Sequence, residues 1–283
     1  MFAPIIFYII TNAIFASMAV ISKYGKTALV AGASEGIGAA YATYLAKEGM
    51  NLVLIARRVA PLEAIAKKLR EQYLVQIQTI SCDLSTTDAV QELVDEVAQT
   101  EIDVFVYNAA QSYMGAFEEN SMDHNQQMVF TNMLTPLNLV QHFGKQMLKR
   151  KRGAVILMSS LTSWQGSGYL STYAASKAFS TILGESLWYE WKDKGVDVIA
   201  CVAGATSSPN FINSKPKDVG LIKPKVQTPD EVVRECFDNL GKHPSVISGR
   251  ANRAAHFLMS RILPRKMAIK IMGDTTRKMY DLG

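Results

Sequence analysis

Two side chains that could move a proton, Tyr173 and Lys177, lie four positions apart. In a helix this spacing places both on one face. A free phenol, with a pKa of about 10, is a poor base at neutral pH, and a neighbouring ammonium favours the phenolate. We therefore expect Tyr173, assisted by Lys177, to donate a proton to, or accept one from, the oxygen of a carbonyl or an alcohol.

A glycine-rich turn, AGASEGIG, occupies residues 31–38, directly after an apolar segment. Gly32 permits a tight turn, Gly36 lets the backbone approach a pyrophosphate, and Gly38 allows a helix and a strand to pack closely. The helix that follows offers unpaired N–H groups and a positive dipole to phosphates. The turn, including Ser34 and Ile37, therefore predicts a dinucleotide-binding site.

Short β-rich apolar segments alternate with longer segments of helical period from residue 26 onward. The alternation is typical of βαβ units around a parallel sheet. We expect one doubly wound α/β domain over residues 23–283. Its seven strands are predicted at residues 27–31, 51–55, 77–81, 104–107, 154–158, 197–202 and 246–248. Its helices are predicted at residues 37–48, 62–72, 88–99, 122–149 and 173–192.

One segment, residues 207–228, interrupts this alternation, since it contains three prolines and several lysines and lacks a sustained apolar period. It follows the carboxyl end of a predicted strand, where doubly wound sheets bind ligands, so we expect a lid. An ordinary surface insertion is the alternative. A helix should begin directly afterwards, because Thr228, Pro229 and Glu231 match a capping box.

Three motifs occur together: the glycine-rich turn, YNAA at residues 107–110 and YAASK at residues 173–177. With them, residues 26–283 resemble the short-chain dehydrogenase/reductase family. Residues 36–55 are similar to its membrane-bound 3-ketoacyl-CoA reductases and 17-beta-hydroxysteroid dehydrogenases. The resemblance implies a Rossmann fold that binds a nicotinamide dinucleotide, and a homo-oligomer formed through the helices predicted at residues 122–149 and 173–192.

The resemblance also implies a catalytic tetrad, formed by Asn132, Ser160, Tyr173 and Lys177. In this assignment Ser160 holds the substrate oxygen and stabilises its developing charge. Lys177 also bonds the nicotinamide ribose, and Asn132 holds a water that connects Lys177 to solvent. The assignment agrees with the chemistry of carbonyl reduction, which needs a hydride from one side and a proton from the other.

Cofactor preference is predicted at the end of the second strand, where Ala56 stands in place of an acidic residue that would bind an unphosphorylated ribose. Arg57 can pair with a 2′-phosphate, so we expect NADP(H). Glu35 opposes this expectation, because its carboxylate could repel the phosphate. By resemblance, Asp83 contacts the adenine and Asn108 fixes the central strand, while Thr206 and Ser208 are alternative partners for the carboxamide or the phosphates. The predicted cofactor set is Gly32, Ser34, Gly36, Ile37, Gly38, Arg57, Asp83, Asn108, Tyr173, Lys177, Thr206 and Ser208.

These features predict an NADP(H)-dependent oxidoreductase that interconverts a ketone and a secondary alcohol on a lipophilic, fatty-acyl or steroid-like substrate. A non-catalytic nicotinamide-binding sensor or membrane scaffold is the alternative. The three cysteines and four histidines show no metal-ligand spacing, so we expect reduced thiols and no metal site. No nucleic-acid partner is expected.

The N-terminal segment, residues 1–22, contains no charged residue and is long enough to span a bilayer core, which needs roughly 20 apolar residues. Lys23 and Lys26 follow it, and the positive-inside rule then places the catalytic domain on the cytoplasmic side. We expect a membrane anchor and a membrane-associated protein. A cleaved signal peptide, a helix packed on the domain and a misassigned start codon are the alternatives.

The net charge of +5 comes largely from arginines and lysines near the C-terminus, between residues 250 and 278. Such a basic face could meet an anionic membrane surface or a phosphorylated ligand. A solvated helix face is the simpler interpretation.

Overall fold

The computed structural model describes residues 19–217 and 226–282. A parallel seven-stranded sheet lies at its centre. The strands are β1 Thr27–Ala31, β2 Asn51–Ala56, β3 Ile77–Ser81, β4 Val104–Tyr107, β5 Gly153–Ser160, β6 Val196–Ala203 and β7 Ser245–Ile247. Their order across the sheet is β3-β2-β1-β4-β5-β6-β7. The seven predicted strands are thereby confirmed, with small differences at the ends of β2, β5, β6 and β7.

Helices connect the strands and cover the sheet. They are α1 Ala19–Tyr24, α2 Gly36–Lys47, α3 Val59–Gln72, α4 Ala89–Glu96, α5 Met122–Val129, α6 Thr135–Arg150, α7 Ser171–Trp191, α8 Pro209–Asn213, α9 Pro229–Asn239, α10 Arg250–Phe257 and α11 Arg265–Tyr280. The single helix predicted at residues 122–149 is instead α5, a π-helical turn at Phe130–Leu134, and α6. The predicted capping box at Thr228 and Glu231 is present at the start of α9.

Both faces of the sheet are buried, as expected for parallel strands made of continuous apolar residues. On one face Val30 packs in a cluster with Tyr41 of α2 and residues of α3 and α9. On the other face Leu29 lies in a cluster with Phe143 of α6 and residues of α4 and α7. The described residues therefore form one Rossmann-like domain, and the predicted doubly wound α/β fold with seven parallel strands is confirmed.

At the carboxyl edge of the sheet, the direction in which the strand order runs reverses between β1 and β4. Because all strands run in the same direction, the loops that follow β1, β2, β4, β5 and β6 leave from this one edge. In doubly wound sheets, the crevice at such a reversal is where ligands bind. The topology thus brings the glycine-rich turn close to residues that are more than a hundred positions away in sequence.

The predicted membrane-associated location with a cytoplasm-facing domain is contradicted. Across residues 19–217 and 226–282, every helix is too short or too polar to cross a membrane. The described end of the apolar segment packs on the domain instead, because Val20 and Tyr24 of α1 are buried in its core. Residues 1–18, which make up most of the predicted anchor, lie outside the described residues.

The two ends of the predicted lid, residues 207–228, are held together. Thr206 and Gln227 form an isolated parallel bridge, in which the backbone N of Ser207 donates to Gln227 O at 2.8 Å. The short helix α8 follows Ser208, whose hydroxyl accepts from the backbone N of Phe211 at 3.3 Å. Residues 218–225 lie outside the described residues, so the lid stays a prediction.

Candidate active site

Tyr173 and Lys177 lie in the first two turns of α7, with Lys177 Nζ 5.6 Å from the centre of the Tyr173 ring. Lys177 is only 5% exposed, and its ammonium donates to the carbonyl oxygen of Met158 at 3.0 Å. The pair therefore shares one helix face, as predicted, and Lys177 is anchored to β5.

Burial is the main influence on the pKa values of the pair. Burial raises the pKa of Tyr173, and a hydrogen bond with Ser160 only partly opposes this effect. Burial lowers the pKa of Lys177 to about 8. Because the low dielectric of the interior disfavours both charged forms, Tyr173 carries its proton at neutral pH. This state suits a proton donor.

Ser160 is the last residue of β5 and the N-cap of a short 3₁₀ helix, Leu161–Trp164. Its Oγ accepts from the backbone N of Thr162 at 3.3 Å, which fixes the hydroxyl at the carboxyl edge of the sheet. Ser160 also acts on the Tyr173 phenol, because hydrogen bonding from its side chain lowers the pKa of that group. Two hydroxyls of this kind can bind and polarise one carbonyl oxygen.

Asn132 lies in the π-helical turn between α5 and α6 and is 2% exposed. Its Nδ2 donates to Gln111 O at 2.8 Å and to Ser176 Oγ at 2.9 Å, while its Oδ1 accepts from Gln111 N at 2.9 Å. Since both amide hydrogens are used, the side chain has none left to donate to the predicted relay water. Asn132 therefore links the loop after β4, through Gln111, to Ser176 of α7, three residues after Tyr173.

The glycine-rich turn has a backbone that side chains would obstruct. Gly32 has a φ of +79°, and a Cβ there would lie 2.7 Å from the backbone of Ala109. A Cβ on Gly38 would lie 1.8 Å from Gly32 O, the same oxygen that accepts from Asn108 Nδ2 at 3.0 Å. The turn thus holds the N-terminus of α2 against β1 and β4. Open N–H groups at that N-terminus suit a pyrophosphate.

The other predicted cofactor residues around this turn use their side chains within the protein. Ile37 packs against the core, so its backbone N–H is what it can offer to a ligand. Thr206 Oγ1 donates to Gly204 O at 3.0 Å. Ser208 lies against the turn, because a Cβ on Gly36 would approach Ser208 Cβ to 2.9 Å. Of the two alternatives left open by the sequence, the structure places Ser208 directly against the glycine-rich turn.

Charged residues follow β1, β2 and β3 at the same edge. Burial would raise the pKa of Asp83, but hydrogen bonds from Ser85 and the charge of Arg57 outweigh it and hold the pKa below its usual value. Arg58 Nη2 and Glu35 Oε2 form an ion pair at 2.7 Å. The sequence indicated Glu35 but not its partner Arg58, nor the contacts of Gln111 and Ser176 with Asn132. The signal for the ion pair was the position of both residues directly after neighbouring parallel strands.

The described residues contain no group of three or more His, Cys, Asp or Glu side chains that could hold a metal ion. The three cysteines are free and buried. The site therefore offers hydroxyls, an ammonium and backbone N–H groups, which fit a nicotinamide dinucleotide and a carbonyl or alcohol.

Comparisons with known proteins agree with this geometry. The family model for the short chain dehydrogenases matches residues 26–218. A 7beta-hydroxysteroid dehydrogenase of Clostridium sardiniense is 34% identical over 231 residues, which are 82% of this chain and 88% of that protein. Human very-long-chain 3-oxoacyl-CoA reductase is 28% identical over 269 residues, covering 90% of this chain and 82% of that protein.

Solved structures show the same relationship. One from a study of 7beta-hydroxysteroid dehydrogenase stereoselectivity has a TM-score of 0.85 and 29% identity, and the match covers 89% of this chain and 98% of that one. A short-chain dehydrogenase from Sphingobium yanoikuyae in complex with NADPH has a TM-score of 0.71 and 26% identity, covering 84% and 96%. The resemblance predicted from the motifs is confirmed, and the chain belongs to the short-chain dehydrogenase family of oxidoreductases.

Proposed function

We propose that this oxidoreductase uses NADP(H) to interconvert a ketone and a secondary alcohol on a lipophilic, steroid-like or fatty-acyl substrate. The observation that carries the proposal is that Ser160, at the carboxyl end of β5, acts on the Tyr173 phenol at the same edge of the sheet as the glycine-rich turn. The substrate class rests on relatives named as hydroxysteroid dehydrogenases and 3-oxoacyl-CoA reductases.

In this proposal the bound dinucleotide supplies or accepts the hydride. Ser160 donates a hydrogen bond to the substrate oxygen and holds the carbonyl in place. Tyr173, protonated at neutral pH because of its burial, gives its proton to that oxygen as negative charge develops. The Lys177 ammonium, held by Met158 O, stabilises the resulting phenolate until the proton is replaced. Asn132 positions this part of α7 through Ser176.

The preference for NADP(H) rests on Arg57, which forms no ion pair within the described part of the chain and can meet a 2′-phosphate. Asp83, Asn108, Ser34 and Ser208 line the rest of the proposed dinucleotide site.

We also infer a homo-oligomer from the family relationship, with α6 and α7 at the contact. A monomeric mass by light scattering in solution would contradict it.

The test replaces Tyr173 by Phe and follows NADPH consumption with a panel of steroid ketones and long-chain 3-oxoacyl-CoA esters. Loss of the proton donor should lower kcat by about 10²- to 10⁴-fold, while NADPH binding, measured by fluorescence, should be nearly unchanged. Tyr189→Phe is the matched control, because Tyr189 lies on the same helix but is 70% exposed. No NADPH consumption by the wild-type protein with any of these ketones would contradict the proposal.

A further inference from the structure

An ion pair joins the first helical turns that follow β1 and β2. Glu35 lies in the glycine-rich turn as the N-cap of α2, and its carboxylate makes no cap hydrogen bond to that helix. Arg58 is the N-cap of α3. The register Ala31↔Ile55 places the two turns side by side at the carboxyl edge. The 2.7 Å contact between their charged groups follows from this register.

Backbone contacts fix where both residues stand. The backbone N of Ala39 donates to Glu35 O at 3.3 Å, and that of Leu62 donates to Arg58 O at 3.4 Å. Each residue is therefore held at the start of its helix. The Glu35 side chain is about one third exposed and the Arg58 side chain about half exposed, so the pair stands at the mouth of the crevice and can meet a ligand.

The charged residues near the Glu35–Arg58 ion pair determine how this pair affects the binding of a 2′-phosphate. Arg57 acts on Asp83, so these two already offset one another in part. A free Glu35 carboxylate beside them would leave the region net negative and repel a 2′-phosphate. Pairing with Arg58 neutralises that carboxylate and leaves Arg57 able to attract the phosphate.

We propose that Arg58 is a specificity-determining residue that masks Glu35, so that a glycine-rich turn carrying a carboxylate still accepts NADP(H). The proposal rests on the NADP(H) preference proposed above. Arg58 acts here through Glu35 and not by contacting the phosphate itself. The effect of removing Arg58 must then depend on whether Glu35 carries its charge.

The experiment measures Kd for NADPH and for NADH by cofactor fluorescence in Arg58→Ala, Glu35→Gln and the double variant. Arg58→Ala should weaken NADPH binding about three- to ten-fold, and less so at high salt, while NADH binding changes by less than about two-fold. Adding Glu35→Gln to Arg58→Ala should restore most of the NADPH affinity. Lys67→Ala is the control, because it removes an exposed ion pair with Glu71 on α3, away from the turn.

Two results would overturn the inference. A double variant that binds NADPH as weakly as Arg58→Ala would mean that Arg58 contacts the phosphate directly. Equal losses for NADPH and NADH, with a lower melting temperature, would mean that the pair only supports the fold. The ratio of the wild-type Kd values for NADPH and NADH tests the proposed cofactor preference separately. The masking role of Arg58 is tested by the coupling between the two substitutions, which is measured by binding and needs no turnover.

Discussion

At the residue scale, burial controls the proton chemistry of the proposed site. The sequence predicted correctly that Tyr173 and Lys177 share a helix face, but it could not predict their surroundings. In the structure Lys177 is buried and Tyr173 is partly buried, and burial biases each towards its neutral form. A neutral phenol beside a lysine that is still mostly charged at pH 7 is the protonation state that carbonyl reduction needs.

This protonation state predicts a pH dependence for reduction. Burial lowers the pKa of Lys177 to about 8, so the ammonium is charged below that pH and loses its charge as the pH rises through it. kcat/KM for ketone reduction should therefore fall above about pH 8, since a neutral amine cannot stabilise the phenolate. Lys177→Arg should be slower but should keep its charge, because guanidinium remains protonated throughout this range.

The measurement is the pH profile of kcat/KM for both proteins at saturating NADPH. The alkaline fall should be present in the wild-type protein and absent from Lys177→Arg. If the same fall near pH 8 occurs in both, it belongs to another group. If the wild-type profile is flat to pH 10, the charge on Lys177 is not needed.

At the scale of elements, the sequence predicted the strands well because parallel strands are continuous apolar segments bounded by turn residues. It missed the π-helical turn at Phe130–Leu134, since a one-residue change of helical register barely alters the apolar period over residues 122–149. It also missed the partners of Glu35 and Asn132, because these contacts depend on strand register and packing. Pro136 was an available signal: it has no N–H to donate to the preceding turn.

The carbonyl groups of that turn show how the irregular helix is stabilised. The backbone N of Thr135 donates to Phe130 O in the π pattern, so the next donor would have been Pro136, with Thr131 O as its acceptor. Thr131 O instead accepts from the Tyr107 hydroxyl at 2.5 Å. Tyr107, at the end of β4, thus replaces the missing donor and holds the turn that carries Asn132.

Tyr107→Phe should therefore destabilise the protein and disturb the proposed site. It leaves Thr131 O buried without its partner, which costs about 1–3 kcal/mol. We expect a corresponding loss in the free energy of unfolding in urea, and a lower kcat with little change in Kd for NADPH.

Tyr41→Phe is the matched control for this substitution. Tyr41 is fully buried, but its hydroxyl lies 3.3 Å from the Met158 sulfur, a weak acceptor. Its loss of unfolding free energy should be clearly smaller. Equal losses for the two variants, or an unchanged kcat in Tyr107→Phe, would contradict the role given to Tyr107.

At the scale of the whole molecule, the two edges of the sheet have different roles. The carboxyl edge carries the proposed site, while polar contacts join the chain along the amino edge. The backbone N atoms of Lys26 and Thr27 donate to Asp103 Oδ2 at 2.7 and 3.1 Å. Tyr24 of α1 donates to Asp197 Oδ2 at 2.8 Å, and Lys23 pairs with the same oxygen at 2.7 Å. Contacts at this edge should support stability and not catalysis.

The apolar segment at the N-terminus shows why composition alone led to a wrong location. A window of uncharged residues satisfies the criterion for a membrane span whether its side chains meet lipid or a protein core. Its described end, α1, meets a core: Tyr24 is 5% exposed, and Val20 N lies 3.5 Å from Glu48 Oε2 at the end of α2. α1 is therefore part of the domain and connects β6 with α2.

This division of the sheet predicts that Tyr24 can be changed without harm to the proposed site. Tyr24→Ala removes a buried ring and its hydrogen bond to Asp197, and should lower the free energy of unfolding by about 3–5 kcal/mol. Leu74→Ala, at a fully exposed position outside α6 and α7, should change it by less than about 0.5 kcal/mol. Urea denaturation measures both, and kcat/KM at a temperature where each variant is folded should match that of the wild-type protein. A Tyr24→Ala variant as stable as Leu74→Ala would show that α1 adds nothing to the domain. A folded Tyr24→Ala variant with reduced kcat/KM would show that the amino edge also shapes the site.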